Sequence, residues 1–336
     1  MIHLDEGYTY EDNLYRSAGK KLDYNSDTGE GVIFFGNLVT KEKNEKAKGE
    51  KILFNSKKKD YIIEKDAEIN NGEYLFKSEK LDYMNSTGFA HLTEPFTITG
   101  LKDGSVISGT KGEYNIGTQD FTSSEKVTYV RGKEKVSGDD FAYNLKTEKG
   151  KITKNVFYED KAKNLTLTSD TGSFQKDKYV EVNQNVKITT AKEEIFAEKG
   201  RYNLETEIIT IPGKIDFNTK DMKTKGTVYD GIFNVKENTL TGKNLNAVTD
   251  KNETISSKKA VYYTDKDTLN LTGNVKISDS NSVITSEDMD YNTKTRKAVS
   301  NTPFKIIYDK TFTVTGNDGV AEMASEKITG NTIKIV

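Results

Sequence analysis

In residues 269–301, LNLTGNVKISDSNSVITSEDMDYNTKTRKAVSN, two alternating apolar–polar runs flank a polar turn, and the same pattern then begins again. Side chains two apart lie on one face of a strand. Val275 and Ile277 therefore share a face, and Tyr291 closes the following run. With Tyr291 as anchor, counterparts occur at Tyr24, Phe54, Tyr83, Tyr114, Tyr143, Phe174, Tyr202, Phe233 and Tyr263. The successive spacings are 30, 29, 31, 29, 31, 28, 31, 30 and 28 residues, a drift too small for chance. A further degenerate copy is expected at Met323. Fixed self-similarity at this period is the mark of a repeat architecture.

Each anchor is followed 12 to 14 residues later by a second alternating pair, such as Phe96 and Ile98, Ile215 and Phe217, Val275 and Ile277, or Phe304 and Ile306. Between anchor and pair stand NSDTG, NSTG, NLKTEKG or NTKTRK. These residue types tolerate left-handed or side-chain-bonded turns. One repeat is thus a strand, a turn, a strand and a connection. The strands are too close for helical crossovers, so neighbours should pair antiparallel. No segment has a helical period, and the chain holds only 3 Pro. The reading is an all-β, elongated, antiparallel stack of about eleven ~30-residue two-strand repeats, each burying its apolar face on its neighbours. With ~22 strands at ~4.8 Å, a single ladder would run roughly 100 Å, or ~50 Å if strands alternate between two walls. Residues 1–336 read as one continuous domain.

The composition agrees. Only 34% of the 336 residues are hydrophobic and 30% are charged, as expected of strands with one wet face. Disorder fits badly with 18 Tyr, 15 Phe and abundant β-branched residues. Charge is balanced, 50 Lys plus Arg against 52 Asp plus Glu, which argues against a nucleic-acid partner. There is no Cys, hence no disulfide frame and no thiolate chemistry. No run approaches eighteen apolar residues, and MIHLDEGYTY is not a signal peptide.

Little points to covalent chemistry. The two His, His3 and His91, lie far apart in sequence, so a His-based metal site or triad is not expected. Asp23, Asp82, Glu113 and Asp290 each precede an anchor and should point outward as a solvated face. Lysine-rich stretches such as KEKNEKAKGEK are diluted by acids and read as exposed turns, and no glycine-rich phosphate loop occurs. No cofactor or metal is implied. The inward aromatic ladder is the one feature with a functional reading: it is either a filled core or an apolar slot for a long hydrocarbon.

In the C-terminal third, LNLTGNVKI (269–277) resembles the LTGNV strand of OstA-like lipopolysaccharide transport proteins, the group of LptA, LptC and the LptD N-terminal domain. Residues 283–331 look most like the end of the LptC family, with Tyr291, Asn292, Lys294, Thr295, Ser300, Pro303, Gly316 and Gly319 in its motif places, so 268–336 reads as an LptC-like end. The resemblance implies a β-jellyroll, or β-taco, with an apolar interior that shelters lipopolysaccharide or lipid A acyl chains. It implies no enzymatic activity, end-to-end stacking with other Lpt-type jellyrolls, and an inner-membrane ABC transporter as the energy source. It places the protein in the periplasm, anchored to the inner membrane by a segment N-terminal to this sequence. The chain is longer than LptC proteins and lacks their membrane helix, which leaves LptA-like, LptC-like and combined roles open. On this reading the lipid-facing ladder is Tyr83, Phe96, Tyr114, Tyr143, Phe174, Tyr202, Phe217, Phe233, Tyr263, Val275, Ile277, Tyr291 and Phe304. The alternatives are a cell-surface adhesin-type repeat protein with a filled core and, third, a carbohydrate-active β-solenoid.

Overall fold

The computed structural model describes residues 1–219, 224–309 and 311–335. These form antiparallel strands joined by short turns, with no helix among the described residues. The chain divides into two compact units. One comprises Met1–Lys161 with Thr171–Lys176, the other Ala162–Asp170 with Asp177–Val336.

The strand Asp60–Asn70 shows the plan. Its sequence, DYIIEKDAEIN, alternates twice, with a break at its centre. Tyr61 and Ile63 are buried before the break, and Ala67 and Ile69 after it. At the break, Lys65 and Asp66 have φ of 59° and 50°, and the pairing register with Tyr74–Met84 shifts between Glu64 and Ala67. Extra residues of this kind are β-bulges, which bend a strand and re-aim its side chains. Register shifts recur along both units, in Glu134–Asn144 beside Asp140, in Tyr179–Thr189 at Gln184 and Asn185, and in Thr268–Ser278 at Gly273 and Asn274. Each long strand therefore contributes one half to each of two walls.

The turns explain the polar residues after each anchor. Asn55 Oδ1 accepts from the amides of Lys57 and Lys58 at 3.1 and 3.0 Å, and Asn115 and Asn203 do the same in their copies. Such Asx turns substitute a side-chain carbonyl for a backbone one. They close on a left-handed residue five places after the anchor: Gly29, Lys59, Gly88, Gln119, Glu148, Glu207, Asn238, Asp267 and Arg296. The copy at Phe174 is two residues tighter and closes at Asp177. This frame corrects two positions. Asp267 is five residues beyond Tyr262, not Tyr263, and Tyr262 is the buried member of that pair. Likewise Glu326, with φ of 53°, is five residues beyond Ala321. Ala321 faces Ala298, which faces Tyr291, so Ala321 holds the anchor place and Met323 lies two residues on.

Candidate functional site: an apolar interior closed by two rims

Cross-strand pairing joins the anchors into one row per unit. In the first it runs Tyr24, Gly31, Phe54, Tyr61, Tyr83, Ala90, Tyr114, Phe121, Tyr143, Gly150 and Phe174. In the second it runs Val180, Tyr202, Ile209, Phe233, Leu240, Tyr262, Leu269 and Tyr291. The ~30-residue period arises because every second strand carries the ring while the strand between supplies another apolar residue, in places Gly or Ala. A Cβ on Gly31 or Gly150 would collide with the ring of Phe54 or Phe174, so at those two places only glycine lets the ring lie on the backbone.

The second wall carries the facing row. Phe76 meets Tyr114 with ring centroids 5.1 Å apart, Phe96 meets Phe121 at 5.3 Å, and Tyr129 meets Tyr143 at 5.6 Å. These tilted contacts at 4.5–7 Å are the favoured aromatic arrangement. Tyr83, Phe96, Tyr114, Tyr143, Phe174, Tyr202, Phe217, Phe233, Val275, Ile277, Tyr291 and Phe304 are all buried, none more than 6% exposed. Tyr263 is the exception: its side chain lies on the outer, half-covered face, with Lys266 Nζ 5.5 Å from its ring centroid. The inward place is taken by Tyr262. Two adjacent tyrosines left the phase ambiguous, and the turn closing at Asp267 resolves it.

The ends of the strands form two rims, one made of the turns after the anchors and one of the opposite turns. They meet above the buried rows, which requires the strands to be folded over, since ~11 residues run straight would hold the ends some 35 Å apart. In the first unit the Tyr74 hydroxyl donates to the Leu145 carbonyl at 2.9 Å, and Lys176 Nζ lies 2.7 Å from Asp103 and also bonds Glu148. Burial pushes the Asp103 carboxyl up, but Lys176 and the Ser105 amide and hydroxyl outweigh it and hold it at about 2. The same two carboxylates, against burial, hold the Lys176 ammonium above its ordinary range. In the second unit Lys192 reaches the Thr264 carbonyl at 3.2 Å and Asp265 at 3.6 Å. Arg296 bonds Glu253 and lies 3.1 Å from Asp279. Glu253 is fully buried and also accepts from the Tyr291 hydroxyl at 2.8 Å and the Thr249 hydroxyl at 3.1 Å. None of the contacts between the two rims was foreseen in the sequence, because their partners lie 17 to 73 residues apart in a uniform background of charge.

The polar candidates remain peripheral. His3 pairs with Asp5 and Asp23, and His91 pairs with Glu113, all on the outer face. Asp82 and Asp290 are half-buried on that face. Among the described residues no group of three or more His, Asp or Glu is placed to hold a metal.

Residues 241–329 match the family described as lipopolysaccharide-assembly, LptC-related. That segment is similar to the LptC-related family. It begins N-terminal of residue 268, and it contains Glu253, Tyr291 and Arg296, so the buried ion pair and its tyrosine belong to the LptC-related part. The match supports a role in lipopolysaccharide transport, with lipopolysaccharide and Lpt proteins as partners in general, and it does not favour an adhesin. No curated protein matches the chain. A crystal structure of Kluyvelomyces marxianus Hsv2 aligns over 74% of this chain and 94% of that one at 9% identity, with a TM-score of 0.11, too low to carry an argument.

Proposed function

We propose that the protein is a non-enzymatic transport component that shelters the acyl chains of lipopolysaccharide, or of a related glycolipid, between its two walls. The observation that carries this reading is the coincidence of the inward apolar row of the second unit with a segment similar to the LptC-related family. Each methylene removed from water is worth about 0.8 kcal/mol. A row of near-equivalent apolar positions supplies that along its whole length, which suits passage better than storage. The protein acts in the periplasm as part of a bridge between inner and outer membranes. It joins other Lpt-type jellyrolls through strand edges, whose unpaired backbone groups template pairing, and an inner-membrane ABC transporter supplies the energy. An N-terminal anchor in the inner membrane completes this arrangement.

The test is a photo-crosslinking amino acid at inward Tyr202 or Phe233, with exposed Asp216 as control, in cells making lipopolysaccharide. Adducts at the inward positions alone support the reading. No adduct at either, in protein shown to be folded, sinks it in favour of a core that never opens.

A further inference from the structure

The interior rows are closed from water, so an acyl chain can reach them only if something parts. A glycolipid's sugar cannot follow its chains into an apolar interior without losing its hydrogen bonds to water. The head must stay outside while the chain goes in, and the boundary it has to straddle is the line where the rims meet. That line holds a cavity of about 510 Å³ in the first unit, within the range of ligand pockets. Its floor is inward-facing: Ile98, Ile107 and Tyr143. Its sides are rim residues, Tyr74 and Asp103 from one rim and Glu148 and Lys176 from the other.

We propose that this cavity is a side port through which a single acyl chain enters the interior, and that the Lys176 bridge is the bar across it. The proposal rests on the lipid reading above and locates where that lipid gets in. Lys176 is only 13% exposed and holds Asp103 across the mouth while also bonding Glu148 on its own rim. The Tyr74–Leu145 hydrogen bond is the second tie across the same opening. Both are polar contacts that water can replace, whereas the aromatic rows beneath are not. The walls can turn about the bulge line, where Asp140 and Asn155 hold φ of 50° and 56° and the register between Glu134–Asn144 and Lys149–Asp160 slips. Opening therefore breaks a few rim contacts and parts facing rings such as Tyr129 and Tyr143, whose apolar contacts the entering chain replaces, and leaves the strand ladders intact.

The chain has no Cys, so Asp103→Cys with Lys176→Cys gives one addressable pair, joined by a flexible bis-maleimide. The readout is the rate at which cis-parinaric acid, a fluorescent fatty acid, gains intensity on mixing. The unlinked pair should load at least threefold faster than the parent protein, and the linked pair at least tenfold slower than the unlinked. A single Lys176→Met variant, which keeps the stem of the side chain, should also load at least threefold faster while still unfolding in one cooperative thermal melt. Equal rates for linked and unlinked protein, or an unchanged rate for Lys176→Met, overturn the port while leaving the lipid reading standing. If the parent protein takes up no acid and gives no adducts at Tyr202 or Phe233, the lipid reading fails and the port with it.

Discussion

Arg296→Ala tests whether the LptC-related segment depends on its buried ion pair. The Glu253 side chain is 0% exposed, and Arg296, itself 24% exposed, is the cation that faces it. Truncating one partner of a buried pair costs about 3–5 kcal/mol, because the other charge is left without compensation. Arg296 is partly reached by water, and Glu253 keeps the Tyr291 and Thr249 hydroxyls, which places the loss near the low end, about 3 kcal/mol. The comparison is Lys65→Ala, which removes an exposed pair with Glu50 at 3.5 Å, its side chains 72% and 38% exposed. Surface pairs of that kind contribute about 0–1 kcal/mol. In Glu253→Gln the buried charge is gone, so adding Arg296→Ala there should cost at least 1.5 kcal/mol less than in the parent. Urea unfolding followed by tyrosine fluorescence suits a chain with 18 Tyr and no Trp. With slopes of about 1–3 kcal/mol/M, the Arg296→Ala midpoint should fall by roughly 1–3 M. A loss below 1 kcal/mol, or one equal to that of Lys65→Ala, refutes the reasoning.

Other outcomes follow from the same geometry. Tyr262→Ala should destabilise by about 3–5 kcal/mol as a buried ring lost from the row, and Tyr263→Ala by under 1 kcal/mol; equal losses in urea unfolding would restore Tyr263 to the interior. Glu193 is 2% exposed and its carboxyl is raised by burial, against its bond from Thr190. An acid raised in the folded state favours folding below its unfolded pKa and loses that contribution as pH rises through the folded value. Glu193→Gln should therefore stabilise by about 1 kcal/mol at pH 8 and by little at pH 4, and the reverse ordering of melting temperatures would contradict this. Asp103 is the opposite case, held at about 2, so its contribution is complete above the ordinary carboxylate range and is lost as pH falls toward 2. Melting temperatures of Asp103→Asn and the parent should converge on acidification from pH 5 to pH 2.

The repeat, the antiparallel pairing and most inward places on the anchor strands were legible because strand alternation is a local property, readable from residues two apart, whereas the buried rings Tyr61, Phe76 and Phe121 were not in the ladder read from the sequence. The phase failed only where an aromatic doublet, Tyr262–Tyr263, or a missing aromatic, Ala321, removed the local cue. The fixed five-residue distance to a left-handed turn residue would have supplied it. The mid-strand bends were not legible. Nothing in the local pattern sets Asp140, Asn155, Asn185 and Asn274 apart from the chain's other polar residues, although Asp and Asn are residues that tolerate positive φ. The rim contacts were hidden for a different reason. Lys176 and Arg296 look like any of the chain's 50 basic residues until folding over brings the opposite rim to them.

The bent strand also constrains how such a chain can change in length. One pass carries the backbone from one rim to the other, and only the next pass brings it back. Inserting or deleting about thirty residues, two passes, returns every downstream turn to its own rim and every ring to its own row. Removing about fifteen would exchange the rims and set the bulky residues of one wall against those of the other. Growth of this architecture is therefore counted in strand pairs, so the length of hydrophobic path can be adjusted in fixed steps without redesigning any single copy.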